Sequence, residues 1–352
     1  MDAFYASAET RRNPGLAGLP VIVGADPKGG KGRGVVAGCS YEARKFGVHS
    51  AQPISRAYRL CPQAIYLRPD FTLYEEVSAR IMEILRSFSD KVEVMGLDEA
   101  FLDASDNVTD FEQAAQLARK IKNEIKAREG LTCSIGVAPN KAIAKIASDY
   151  QKPDGITVVT PGEASLFLKP LPVSRISGVG KKTAEILGRV GVKTIGDLAS
   201  LPAGRVVDLF GKWGIRLWEI ANGVDETPVV TSYEIKSISN ETTFDEDVGD
   251  RAVVVETLDK LAKDVHARAV QEGFMWKTTG IKLRFEDFST FTRAKSRNDY
   301  TNSLEIMRDS VRSLFSEFEN DPRKIRLVGV RVSNLRRSDS SQETLLSWSR
   351  DG

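Results

Sequence analysis

Residues 92–105 read VEVMGLDEAFLDAS and set two adjacent acids, Asp98 and Glu99, between two short apolar runs. Val92, Val94 and Leu97 lead in, Phe101 and Leu102 lead out, and Gly96 frees the backbone between them. Neighbouring side chains of a straight strand point to opposite faces, so Asp98 and Glu99 can act together only if the chain bends there. The pattern predicts a β-hairpin with both carboxylates on one rim, a pair able to hold a divalent metal ion. Acids are also common in solvated turns, and this stretch by itself leaves both readings open.

The flanking sequence extends the hairpin into a domain. Residues 74–88 place Tyr74, Val77, Ile81, Ile84, Leu85 and Phe88 at helical spacing, and residues 111–128 do so with Phe111, Leu117, Ile121 and Ile125. LTCSIGVA at 131–138 follows as a strand. A leading strand would complete a ferredoxin-like βαββαβ unit, and MDAFYASAE looks like the end of one running into a helix. Residues 11–69, rich in Gly, Pro and basic side chains, read as a small inserted subdomain. From about residue 160 the chain turns to short glycine-punctuated segments, predicting a compact helical domain to about 226. A second βαββαβ order spans 236–337, with Ile281, Leu283 and Phe285 alternating with Lys282 and Arg284 as in a sheet with one buried face. The Ser- and Asp-rich residues 338–352 read as a mobile tail. The fold class is α+β in several domains.

Composition narrows the chemistry. The 352 residues are 41% hydrophobic and 28% charged, with no apolar run long enough to cross a bilayer and no basic-then-apolar leader, so a cytoplasmic protein is expected. Cys39, Cys61 and Cys133 are scattered, which supports neither a disulfide framework nor a zinc site. With His49 and His266 the only histidines, nucleophile-plus-histidine hydrolysis has little material. The net charge of +2 conceals a basic segment, DPRKIRLVGVRVSNLRR at 321–337, whose arginines make it a candidate for binding a polyanion.

Three further constellations bear on function. Gly178, Val179 and Gly180 followed by Lys181 and Lys182 form a helix-hairpin-helix signal: glycines let a phosphate approach, a helix N-terminus offers N–H groups, and lysines add charge. The alternative is an ordinary turn between helices. SYEARKFGV at 40–48 puts Tyr41 and Arg44 on one helical face, where they could clamp a triphosphate or simply be solvated. GADPKGGKGRG at 24–34 lacks the Gly-Lys-Ser/Thr ending of a P-loop and reads as a flexible basic loop.

Taken in order, MDAFYAS, SYEARKFGV, GLDEAFLD, SIGVAPNKAIAKIASD, KPDG, SGVGKKTAE and KSISNETTF resemble the Y-family translesion DNA polymerases of the DNA polymerase IV type, in an archaeal-like form. The resemblance covers residues 1–337 and implies a right-hand polymerase. Its palm would comprise 1–10 and 70–159, its fingers 11–69, its thumb 160–226, a linker 227–235, and a little finger 236–337. It implies template-directed, low-processivity translesion synthesis by a monomer on primer-template DNA and dNTPs, with two Mg²⁺ ions. Asp98 and Glu99 would be the catalytic, metal-holding acids. Tyr5 would be the steric gate against a ribose 2′-hydroxyl, with Phe4 lining the same pocket, and Tyr41, Arg44 and Lys152 would hold the triphosphate. Val35 and Ala37 would roof the nascent base pair. DNA would be gripped by Gly178, Gly180, Lys181 and Lys182 in the thumb and by Lys236, Arg284, Arg293, Lys295, Arg297 and Arg331 in the little finger.

One departure stands out. The family begins with a short apolar strand ending in a metal-binding Asp, then one residue, then Asp-x-Phe-Tyr; here Met1 is that one residue, and Asp2 matches only the second acid. The expectation is a sequence that starts late, at an internal methionine. Were Met1 the true start, a metal ligand would be missing and the chain would be an impaired form acting only as a primer-template DNA-binding protein. In the tail, Gln342, Leu345 and Trp348 are spaced like a sliding-clamp-binding peptide, although Ser349 stands at its usual second aromatic. A palm-type nucleotide cyclase also uses acids on a hairpin, but it has no use for the helix-hairpin-helix or the basic C-terminal sheet.

Overall fold

The computed structural model describes residues 1–338, which fall into two units divided between Ser232 and Tyr233. In the first unit, helix α1 (Phe4–Arg12) precedes strands β1 (Val21–Gly24) and β2 (Val36–Cys39), helices α2 (Tyr41–Arg44) and α3 (Ile54–Leu60), and strand β3 (Ile65–Leu67). These strands form one sheet in the order β2-β1-β3, with a small core of Ile22, Val36, Ala43, Val48 and Ile54.

The acidic region follows as α4 (Phe71–Arg86), β4 (Val92–Val94), β5 (Ala100–Leu102), α5 (Phe111–Glu129), β6 (Ile135–Val137), α6 (Lys141–Tyr150) and β7 (Ile156–Val158). The side chains of Asp70, Asp110 and Asn140 cap α4, α5 and α6 by accepting from Leu73, Gln113 and Ile143 N–H groups. Tyr74, Val77, Ile81 and Ile84 of α4 pack with Ile121 and Ile125 of α5, as their helical spacing requires. Each such side chain contributes roughly 1.5–3 kcal/mol by leaving water.

The strands depart from expectation. Instead of a single sheet there are two pairs, β4-β5 antiparallel and β6-β7 parallel. Met1–Ala3 are irregular, and Ala3 takes a left-handed conformation (φ 44°) just before α1. β5, β6 and the apolar sides of α4 and α5 line a cavity of about 790 Å³ that includes Phe101, Leu102, Ile135, Leu117 and Ile121.

Five short helices complete this unit: α7 (Ala164–Leu168), α8 (Lys181–Arg189), α9 (Ile195–Ala199), α10 (Ala203–Phe210) and α11 (Lys212–Ala221). Their core of Leu168, Leu187, Ile195, Leu198, Val206 and Leu217 is shared with Ile143, Ile146 and Ala147 of α6.

The second unit runs β8 (Ser237–Val248), α12 (Arg251–Gln271), β9 (Phe274–Phe285), β10 (Thr290–Thr301), α13 (Leu304–Phe315) and β11 (Ile325–Arg337). Its elements follow the expected chain order, and the antiparallel pairings place them as β10-β9-β11-β8. Ile281, Leu283 and Phe285 are buried against the helices while Lys282 and Arg284 stand on the other face.

Gly136 shows how closely β6 packs on α6. A Cβ there would lie 2.1 Å from the Ala144 carbonyl oxygen and 2.5 Å from the Ser148 nitrogen, both backbone atoms that cannot swing aside. Gly136→Ala is expected to cost about 1–3 kcal/mol, read as a lowered urea midpoint at unchanged m-value.

Candidate active site

The acids sit at the tip of the β4-β5 hairpin. Gly96 has φ +79°, a left-handed conformation that favours glycine, and the Met95 N–H donates to the Glu99 carbonyl at 2.8 Å to close the tip. Asp98, Glu99, Lys145 and Lys152 all line the same cavity, as does Met1, whose amino group donates to the Asp98 carbonyl at 2.6 Å. The hairpin reading is thus correct, and Lys152 lines the same cavity as the acids.

Two lysines one turn apart on α6 meet two acids of the hairpin. Lys145 pairs with Glu99, whose side chain is 42% exposed, and Lys141 pairs with Glu93, whose side chain is 2% exposed. Glu93 also accepts from the Val230 N–H at 2.8 Å, and Lys141 donates to the Pro228 carbonyl at 3.0 Å. Asn140 and Ala142 add bonds to the Gly223 carbonyl and the Asp225 carboxylate. The root of the hairpin, the start of α6 and the chain leaving α11 are therefore one hydrogen-bonded cluster. Sequence reasoning missed Glu93, Lys141 and Lys145; the i,i+4 lysines within NKAIAK were the available signal.

Lys152 lies 2.7 Å from Asp149. Burial pushes the Asp149 carboxyl up, but the hydrogen bond from Lys152 and the charge of Lys145 outweigh it and hold this carboxyl below its usual range.

Tyr5 stacks on Tyr74 with ring centroids 4.5 Å apart and meets Phe71 edge-on at 6.3 Å. On its other side a Cβ at Gly38 would come within 3.1 Å of the ring, so glycine there makes room for Tyr5. Burial, then the charge of Asp98, raises the Tyr5 phenol above its ordinary pKa. Phe4 is buried against Tyr74 and lies 5.7 Å from the Tyr5 ring, so it backs that residue from the core.

Tyr41 and Arg44 do share a face: the Arg44 guanidinium carbon lies 4.6 Å from the Tyr41 ring centre. The Tyr41 hydroxyl is buried without a hydrogen-bond partner. Burial first, and then the nearby charge of Asp2, push its pKa up to about 12. Asp2 is itself buried, with one carboxylate oxygen accepting from the Ser134 hydroxyl at 2.8 Å and the other from the Asp154 N–H at 2.9 Å. It ties the chain before α1 to the start of β6 and the turn before β7. Val35 is exposed, whereas Ala37 lies within β2.

The helix-hairpin-helix residues adopt the expected form. Gly178 has φ +89°, Gly180 precedes α8, and Lys181 and Lys182 are exposed on its first turn. In the second unit the cations separate by register. Arg331 lies opposite Gly280, and Arg284 opposite Thr290, on the solvent face of the sheet; Arg293 and Lys295 lie opposite Ile281 and Thr279 on the helix side of edge strand β10. Arg293 is paired with Glu317 at 2.7 Å, and Arg284 donates to the Thr290 hydroxyl. Lys236, Lys295, Arg297 and Arg331 are exposed. The basic 321–337 segment does not form one patch. Arg323 binds Asp321 and Asp287 and covers the Phe285 ring at 4.0 Å, while Arg326 faces Asp247 and Phe288. Gln342, Leu345 and Trp348 lie outside the described residues.

Asp98 and Glu99 suit a hard divalent cation, since carboxylate oxygens are its preferred donors. The ammonium of Lys145 already stands where positive charge is needed, against Glu99. Among the described residues no group of three acidic, histidine or cysteine side chains converges as a metal site. No helix among the described residues is long and apolar enough to cross a membrane.

Comparison with known proteins bears on this site. The impB/mucB/samB family matches residues 1–149, and the family's C-terminal domain matches residues 235–345. DNA polymerase IV 2 of Methanosarcina mazei is 48% identical over 348 residues, which are 99% of this chain and 94% of the relative. DNA polymerase IV of Methanoculleus marisnigri is 48% identical over 335 residues, 95% of this chain and 92% of the relative. Among solved structures, the Y-family DNA polymerase chimera Dbh-Dpo4(243-245)-Dbh superposes with a TM-score of 0.84 at 32% identity, covering 95% of this chain and 96% of its own. An insertion ternary complex of Dbh DNA polymerase superposes with a TM-score of 0.67.

The two lysine–glutamate pairs make a contrast that can be measured. Lys141→Ala takes the ammonium from a buried carboxylate that still accepts from the Val230 N–H and is expected to destabilise by about 1–3 kcal/mol, whereas Lys145→Ala, whose partner is water-exposed, costs less than about 1 kcal/mol. Chemical denaturation of the two variants beside the parent reads both.

Proposed function

The chain belongs to the impB/mucB/samB family, the Y-family DNA polymerases, and is a DNA-directed DNA polymerase of translesion synthesis; we propose that Asp98 and Glu99 are its catalytic acids. Primer-template DNA and nucleotide are its partners, and divalent metal is required. The observation that carries the assignment is the convergence of Asp98, Glu99, Lys145 and Lys152 on one open cavity. Two Mg²⁺ ions, when bound, would acidify the primer 3′-hydroxyl and balance charge on the reacting phosphates. Asp98 and Glu99 would hold them, with Lys145 giving up Glu99.

The other residues position substrate. Tyr5, fixed between Tyr74 and Gly38, offers a rigid ring edge against a ribose 2′-hydroxyl, so it selects deoxynucleotides. Arg44, Tyr41 and Lys152 would hold the triphosphate, with the buried Tyr41 hydroxyl as a donor lacking an acceptor. On this reading residues 1–10 and 70–159 are the palm, 11–69 the fingers, 160–226 the thumb, 227–235 the linker and 236–337 the little finger. Lys181 and Lys182 of the thumb, and Lys236, Lys295, Arg297 and Arg331 of the little finger, would hold phosphates, with Arg284 and Arg293 contributing once released from their present partners. The protein would act as a monomer of low processivity, tethered to a sliding clamp through Gln342, Leu345 and Trp348.

Primer extension with Mg²⁺ and dNTPs tests the assignment of the acids. Asp98→Ala is expected to lower extension by more than about a hundredfold, beyond what loss of a merely supporting group costs; equal rates in variant and parent would contradict the assignment. Tyr41→Phe should raise the KM for dNTP while leaving stability unchanged or up to about 1 kcal/mol higher, because it removes a buried, unpartnered hydroxyl. Steady-state kinetics and thermal unfolding of that one variant give both readings.

A further inference from the structure

Helix α1 is apolar on its buried side, with Phe4, Ala6 and Ala8, yet it also buries a carboxylate, Glu9, which is 3% exposed. A buried charge is a poor route to stability, because desolvation commonly outweighs what its partners return. The partners of Glu9 point to a different task. One of its oxygens accepts from the Tyr74 hydroxyl at 2.7 Å, and the other meets the Arg12 guanidinium at 2.6 Å. Arg12 also binds Asp70 at 2.6 Å, and Asp70 caps α4 through the Leu73 N–H. The network therefore joins α1 to the first turns of α4 and ends on one phenol. Burial, and then the bond to Glu9, raise the Tyr74 pKa, so this hydroxyl stays a donor at neutral pH.

Tyr5 and Glu9 stand one turn apart on α1, at i and i+4, and so share a face. Tyr74 lies along that face: its ring stacks on Tyr5, with centroids 4.5 Å apart and planes inclined by 29°, and its hydroxyl reaches Glu9. Phe4 and Phe71 meet the Tyr5 ring at steeper angles, and Phe71 is 53% exposed, whereas Tyr74 is fully buried. The position of Tyr74 therefore sets how far the Tyr5 ring can give. An aromatic ring that rejects a 2′-hydroxyl by bulk discriminates only as far as it cannot retreat, since apolar surfaces reject an added hydroxyl weakly and a displacement of about 1 Å at a reacting site can cost about a hundredfold. We infer that Glu9, oriented by Arg12, is a positioning residue for sugar selection: it pins Tyr74 by the hydroxyl, and Tyr74 in turn keeps Tyr5 from yielding to a ribonucleotide. This role rests on Tyr5 being the steric gate, and it gives the buried carboxylate a task that stability alone does not.

The test is steady-state incorporation of dNTP and rNTP by the full chain on primer-template DNA with Mg²⁺, read as separate kcat and KM values. Glu9→Ala and Tyr74→Phe are each expected to lower discrimination against rNTP at least about fivefold, through a lower KM and higher kcat for rNTP, while kcat/KM for dNTP stays within about threefold of the parent. Because both variants break the same bond, the double variant should discriminate no worse than either single one. Glu9→Gln, whose amide oxygen still accepts from Tyr74, should keep discrimination within about twofold of the parent; a loss as large as that of Glu9→Ala would contradict the role. Tyr74→Phe keeps the buried ring, so it decides the matter even if Glu9→Ala unfolds. Parental discrimination in Tyr74→Phe, or an equal fall in kcat/KM for both nucleotides, would overturn the proposal. Tyr5→Ala is the control: discrimination that survives it removes the gate itself, whereas a loss confined to Tyr5→Ala leaves the gate and removes only its anchor.

Discussion

Acidic side chains on one hairpin need nearby positive charge, and two lysines of α6 supply it in the first unit, one at the root of the hairpin and one at its tip. The pairs differ in what surrounds them. Glu93 and Lys141 are buried at the root of the hairpin, where a lone charge would be severely penalised, so each holds the other in place. Glu99 and Lys145 meet at the open tip, where water screens them and the pair is weak. The same helix thus fixes the base of the hairpin while leaving its acids free to exchange an ammonium for another cation. Because Glu93 and Lys141 also bind residues 228–230, the chain leaving the helical domain is anchored to the strand that carries the acids.

Much of this was legible in the sequence, for reasons that can be named. The hairpin was readable because Gly96 and the apolar runs around Asp98 and Glu99 constrain a few local residues. Helices α4 and α5 were readable because one apolar stripe must face a core. The pairing of Tyr41 with Arg44 followed from helical spacing alone. What escaped were relations between elements. No periodicity reveals that Lys141 and Lys145 reach Glu93 and Glu99, nor that Asp2 spends its carboxylate on Ser134 and the Asp154 N–H. The basic 321–337 segment suggested a patch, but along a strand alternate residues part company, and Arg323 and Arg326 are drawn to acids and aromatic rings.

The second unit shows how a sheet distributes charge. Its helix side is apolar except along edge strand β10, and its cations are held in part by Glu241 and Glu317, which pair with Lys282 and Arg293. Exposed pairs of this kind are worth little in water, so they can yield to phosphate oxygens at small cost. Lys295, Arg297 and Arg331 stand exposed and give a first point of contact.

The central claim is that Asp98 and Glu99 together create a divalent-cation site at the hairpin tip, and it is tested most directly without turnover, by titrating Mn²⁺ into the protein under electron paramagnetic resonance. The account predicts saturable binding to the parent chain and at least about a tenfold loss of affinity in Asp98→Asn, which keeps shape but removes charge. Equal Mn²⁺ affinity in the two proteins would contradict it.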